Sequence, residues 1–155
     1  MTTLEKKLAD LGHSLPQAAA AAANYVPYVI SVNHVFIAGQ IPFLNGKKMH
    51  QGRLGENFSL EHGQEAARAC ALNILSQLRA AIGGDWSRVT RCVRLGGFVN
   101  CTPDFDQQPA VINGASDLIV AALGETGKHA RAAVGVSSLP FGVAVEIDAI
   151  FEIKI

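Results

Sequence analysis

The C-terminal residues 143–155 alternate strictly in character. Val143, Val145, Ile147, Ala149, Phe151, Ile153 and Ile155 interleave with Ala144, Glu146, Asp148, Ile150, Glu152 and Lys154. A side-chain period of two belongs to a β-strand with one apolar and one largely polar face. Such a strand must sit in a sheet covered on one side, with Glu146 and Asp148 turned away from the valines. That requirement constrains everything upstream, because the rest of the chain has to supply both the sheet and its cover.

The upstream elements read as follows. Thr2 and Glu5 have the spacing of a capping box at the start of a short helix, with Leu4, Leu8 and Leu11 on one face and Gly12 as its stop. The alanine run at 18–23 reads as a linker or a weak helical turn. Tyr25 to Ser31 and Val35 to Gln40 are rich in β-branched and aromatic residues, with Asn33 at the turn between them. Residues 41–57 form a loop, with a hairpin suggested at Asn45-Gly46. Ser59 is placed to cap the longest helix, whose stripe Ala66, Ala67, Cys70, Ala71, Ile74, Leu75, Leu78 and Ile82 has helical spacing and ends at Gly83-Gly84. Val89 to Val99 reads as a strand. A second helix begins near Gln108, carries Val111, Ala115, Leu118, Ile119 and Ala122 on one side, and closes at Gly124. Ala130 to Val136 is the penultimate strand.

Two helices can cover only one face of a mixed sheet of this size, so the fold class is α+β and the second face meets either water or another subunit. Glu146 lies on that second face, which points to a subunit interface containing a polar pocket. The 155 residues fit one domain, 1–155, with a short N-terminal helical extension over about 1–24. Hydrophobic residues make up 49% of the chain, enough for a core, and the net charge of zero favours self-association over repulsion. The same neutrality argues against nucleic acid, whose phosphates require a basic surface. The N-terminus MTTLEKKLAD lacks the apolar stretch of a signal peptide, and no apolar run reaches the ~20 residues of a membrane span. A cytoplasmic protein without membrane attachment is the expectation.

Candidate chemistry is concentrated late in the chain. Arg131 stands beside Ala132, Ala133 and Val134, where a half-buried guanidinium could bind a carboxylate through two parallel hydrogen bonds. Its plain structural alternative is a salt bridge, with Glu146 as one partner. Glu146 could hold or deprotonate a water, or it could be an ordinary solvated strand residue. Tyr25 and Tyr28 could wall a pocket or simply pack, and Asn113 could serve only its own helix. Cys70, Cys92 and Cys101 are odd in number and widely spaced, which suits neither disulfides nor zinc. Cys101, in a loop, is the one to test for reactivity. Trp86 reads as a core or interface anchor. The five histidines are scattered, so no metal site is expected, nor is any phosphate loop or nucleophile elbow present.

Several of these segments together resemble the reactive-intermediate deaminase family, also called YjgF. The resemblance rests on HARAAVGVSSLPFGVAVEIDAIFEI (129–153), VFIAGQIP (35–42) and DFDQQPAVINGASDL (104–118), and it runs from Tyr25 to the end. The N-terminal helix and the 41–57 loop mark a longer, divergent subgroup. The resemblance implies a chorismate-mutase-like fold and a homotrimer with three clefts between subunits. It further implies cofactor-free hydrolysis of imines or enamines derived from amino acids, giving 2-oxo acids and ammonia. Arg131 would anchor the substrate carboxylate and Glu146 would position the attacking water. Tyr25, Gly39, Asn113 and Ala133 would complete the substrate site, with Tyr28 as the fallback tyrosine. Two positions depart from the pattern: Ala38 replaces a usual serine and Ala133 a usual cysteine. A lost serine hydroxyl removes a hydrogen bond worth roughly 0.5–1.5 kcal/mol. Those departures leave open a non-catalytic module that binds a 2-oxo acid. An RNA-cleaving translation inhibitor is a third reading, opposed by the neutral charge.

Overall fold

The computed structural model describes residues 1–21 and 23–155. Its centre is the alternating segment: β7 (Val145–Ile153) has Val145, Ile147, Ala149, Phe151 and Ile153 buried, while Glu146, Asp148, Ile150 and Glu152 are half-buried on the other face. It is flanked by β2 (His34–Gln40) and β5 (Val89–Asn100), both antiparallel to it. β1 (Tyr28–Ser31) extends the sheet beyond β2, and β6 (Ala130–Val136) lies parallel to β5 at the far edge. The order is β1-β2-β7-β5-β6. A separate two-stranded hairpin, β3 (Phe43–Leu44) with β4 (Lys47–Lys48), turns at Asn45-Gly46. Both turn residues have positive φ, 52° and 78°, as a tight two-residue hairpin requires.

One face of the sheet is covered by α2 (Leu60–Ala81) and α3 (Gln108–Leu123). Ser59 Oγ accepts from the His62 amide at 3.2 Å to start α2, and Gly83 and Gly84, with φ of 64° and 80°, turn the chain out of it. The small residues of α2 let it lie close to β7 and to α3. The closest approach is at Gly114, where an added Cβ would fall 2.2 Å from the backbone oxygen of Gln64. No helix among the described residues is long and apolar enough to cross a membrane.

The N-terminal segment has the expected short helix, and that helix packs on the core. α1 (Thr3–Asp10) does have its capping box: Thr2 N donates to Glu5 Oε2 at 2.9 Å and Glu5 N to Thr2 Oγ1 at 3.3 Å. The helix covers eight residues, and Leu4 and Leu8 belong to the main core. Leu11, expected on the same face, is 50% exposed because it caps the helix rather than continuing it. The chain then runs without helix as a strap along α2, where Ser76 Oγ donates to Pro16 O and Gln77 Nε2 to Ala19 O, both at 2.8 Å. Of the alanine run, 18–21 is non-helical and Ala22 lies outside the described residues.

Two strand boundaries move for identifiable reasons. β1 begins at Tyr28, not Tyr25, because Pro27 offers the ladder no N–H, although its carbonyl still accepts from Ala38 N at 2.9 Å. β7 begins at Val145 because the preceding 3₁₀ turn, Pro140–Gly142, redirects the chain and leaves the Ala144 amide bonded to His50 O. Trp86 is partly buried against the core.

Candidate functional site

Glu146 owes its setting to an irregularity in β2. The β2–β7 register passes from Ile37↔Ala149 to Gln40↔Ile147, so one more residue is used on β2 than on β7. This bulge lays the Gly39 backbone against the Glu146 side chain, where a Cβ at Gly39 would stand 3.1 Å from Cδ. A side chain at Gly39 would crowd the carboxylate, which would have to shift by a few tenths of an ångström. Glu146 is half-buried, and its pKa is raised above the ordinary 4.5, first by loss of hydration and then by the like charge of Asp148 on the same face.

The carboxylate opens into a cavity of about 440 Å³. Tyr25, Pro27, Gly39 and Gln40 line it with Glu146, as do Asn73 and Gln77 of α2, Phe43, Lys48, Pro140, Phe141 and the strap residues Ala19–Ala21. Three sequence candidates, Tyr25, Gly39 and Glu146, therefore share one cavity. Tyr28 does not; it lines a separate hollow of about 320 Å³ with Ala38, Arg94 and Asp148. Asn73 fixes the β2–β3 connection to α2 by donating to Ile41 O at 3.0 Å and Phe43 O at 2.8 Å.

Arg131 is elsewhere. Phe98 of β5 stands opposite both Glu146 of β7 and Val134 of β6, so Val134 shares the open face with Glu146. Arg131, an odd number of residues away on the same strand, projects from the helix-covered face. Its Nη1 donates to Ser116 Oγ at 3.1 Å and its Nη2 to Pro109 O at 3.3 Å, both on α3. Ser116 is itself fixed by His129, whose Nε2 lies 2.9 Å from Oγ. His129 Nδ1 lies 2.7 Å from Gly127 O; that carbonyl can only accept, so Nδ1 carries the proton and Nε2 is free to accept the serine hydroxyl. The guanidinium is thus held by neutral acceptors, and among the described residues no carboxylate pairs with it. The salt bridge to Glu146 considered as an alternative is excluded within one chain by the sheet that separates the two groups.

Asn113, exposed on α3, is one helical turn from both Pro109 and Ser116 and so lies on the side that Arg131 approaches. Ala133, partly buried, follows Arg131 on the same face of β6. One chain therefore carries two separate groups, Tyr25 with Gly39 and Glu146, and Arg131 with Asn113 and Ala133.

The sequence reading missed Lys48, Asn73, Gln77, Phe141 and the strap as parts of the first group. Two amides four residues apart in an otherwise apolar stripe were the available signal for Asn73 and Gln77. Cys101, expected in a loop, is buried, with Gln108 Nε2 3.6 Å from its sulfur. Burial raises the pKa of Cys70 well above its usual value and that of Cys92 to about 12, leaving both as inert thiols. No cluster of three or more His, Cys, Asp or Glu suited to a metal occurs among the described residues.

Comparison with known proteins bears on the family and the fold. Residues 5–149 match the family model described as "YjgF/chorismate mutase-like, putative endoribonuclease". Protein TCP17 of Trypanosoma cruzi is 51% identical over 148 residues, covering 95% of this chain and 92% of its own. The Agrobacterium tumefaciens protein Atu1372, of unknown function, superposes with a TM-score of 0.93 at 50% identity, covering 97% of this chain and 92% of that one. A putative endoribonuclease from Shewanella oneidensis gives 0.92 at 34% identity, with 97% and 99% covered. By sequence and by fold, the chain belongs to the YjgF/chorismate mutase-like family.

Proposed function

We propose that this protein hydrolyses 2-imino acids, or the enamines in equilibrium with them, to 2-oxo acids and ammonia. The observation that carries the reading is Arg131: a guanidinium oriented by Ser116 and Pro109, paired with no carboxylate among the described residues and with donors to spare for one from a substrate. Because Glu146 stands on the opposite face of the sheet, a site that uses both residues takes Arg131, Asn113 and Ala133 from one subunit and Tyr25, Gly39 and Glu146 from the next. A homotrimer closed by head-to-tail contacts provides three such clefts. The open face supports assembly, since Val29, Phe36 and Val134 are 44–52% exposed there without cover in the single chain.

The chemistry then balances without a cofactor. Arg131 binds the carboxylate of R–C(=NH2+)–COO−. Water adds to the electrophilic carbon as the Glu146 carboxylate takes one of its protons and delivers it to nitrogen. The resulting carbinolamine loses its C–N bond, its hydroxyl proton passes through Glu146 to the departing ammonia, and the products are R–CO–COO− and NH4+. Positioning and proton transfer at an already activated carbon supply the acceleration. Ribonuclease activity, suggested by the names of relatives, finds less support in a chain of zero net charge.

The test is competition. An amino-acid oxidase generates imines while semicarbazide traps them; wild-type protein should slow semicarbazone formation, and Arg131→Ala should not. Should wild-type protein bind 2-oxo acids tightly yet spare the imines of a broad amino-acid panel, the binding-module reading replaces this one.

A further inference from the structure

Resting on that reading, we propose that the cavity beside Glu146 receives the substrate's side chain and selects one that ends in a carboxylate, making the preferred substrate a dicarboxylic 2-imino acid. The cavity, at about 440 Å³, lies within the range of small-molecule sites and is larger than the reacting centre alone demands. Its lining is mixed, with Tyr25, Gln40, Asn73 and Gln77 beside apolar groups. The strap contributes the small side chains of Ala19, Ala20 and Ala21, held in place by the bond from Gln77 to Ala19 O at 2.8 Å. Phe43 and Phe141 add apolar surface, which suits a methylene chain.

The lining also includes a cation. Lys48 Nζ stands 3.9 Å from the centre of the Phe141 ring, and no carboxylate among the described residues pairs with it. The aromatic face occupies one side of the ammonium and leaves its N–H groups for an acceptor. Phe141 is itself placed at a conformational cost: its φ of 59° lies in the left-handed region, which a phenylalanine rarely adopts, and Gln51 Nε2 holds its carbonyl at 2.7 Å. Strain maintained to set a ring and an ammonium at a cavity has a function if the cavity binds an anion there. Glu146 lines the same cavity, and among the described residues it forms no ion pair with Lys48.

The experiment measures binding by calorimetry and turnover by imine trapping, on wild type and on Lys48→Met, which keeps the aliphatic stem. Lys48 is exposed, so the substitution leaves the core intact. The probes are 2-oxoglutarate and 4-methyl-2-oxopentanoate. Wild type should bind the diacid at least about tenfold more tightly, the scale of a charge-assisted hydrogen bond at a partly enclosed site. Lys48→Met should abolish that preference and leave the monoacid within about twofold. Equal binding of the two acids by wild type, failure of either to bind, or an unchanged preference in Lys48→Met would overturn the proposal. Hydrolysis of leucine-derived imine with no preference for the glutamate-derived one leaves the hydrolase reading standing and removes the subsite. Lys48-dependent diacid binding without turnover of any imine does the reverse.

Discussion

A carboxylate half-withdrawn from water binds its proton more tightly than one in solution, because ionisation must proceed with fewer waters to stabilise the charge. Glu146 is in that state, and Asp148 adds a like charge on the same face. The consequences for activity and for stability have opposite signs. As the proposed base, Glu146 must be ionised, so kcat/KM should fall on acidification with a limb above 4.5, the ordinary glutamate value. For stability, a folded-state pKa above the unfolded one means that the group's contribution is fully present below the unfolded pKa and is lost as pH rises through the folded value. At neutral pH the ionised side chain is therefore a burden on the fold. Glu146→Gln should lower kcat by roughly 10²–10⁴-fold, the usual yield of a general base, while Tm at pH 7 stays level or rises. A Tm several degrees lower would instead make Glu146 a structural residue. Its identity as a polar-face strand residue was legible in the period of two. Its burial was not, because that comes from a bulge in a strand about a hundred positions earlier.

Among the elements, the α2–α3 contact is the least tolerant. An alanine at Gly114 would bring its Cβ 2.2 Å from Gln64 O and 2.9 Å from Gln64 Cα, and backbone inside a helix has no rotamer by which to yield. Gly114→Ala should therefore part the helices and cost roughly 1–3 kcal/mol, as overpacking does; urea unfolding measures it, and an unchanged midpoint would show that the helices can slide. The helices themselves were readable because caps and apolar stripes are local: Ser59, Gly83-Gly84 and Gly124 end or begin them where the sequence placed those signals. The strap was not. Residues 13–21 have no period of their own, and their conformation is imposed by Ser76 and Gln77 of α2.

At the level of the whole molecule, separation of Arg131 from Glu146 makes a prediction that a self-contained site would not. In a trimer with shared clefts, Arg131→Ala and Glu146→Gln proteins should each be inactive, yet mixed trimers should recover activity. A cleft that draws its arginine from one variant and its glutamate from the other is wild type. Random one-to-one exchange should restore about one quarter of the clefts, the statistics of a head-to-tail ring. Light scattering verifies the assembly and imine trapping reads the recovery; no recovery from fully exchanged trimers would place the site within one subunit.

The sequence by itself determined the α+β class, the two helices, the hairpin at Asn45-Gly46, the strand that carries Glu146 and the residues worth suspecting. Each depends on a neighbour a few positions away, through a cap, a turn or a period. Only the tertiary structure decided which suspects meet. Tyr25 rather than Tyr28 shares a cavity with Glu146, Lys48 and Phe141 join it from loops, and Arg131 stands on the far side of the sheet. Those outcomes follow from strand register and a bulge, which set which face each side chain occupies and depend on pairing between segments far apart in the chain.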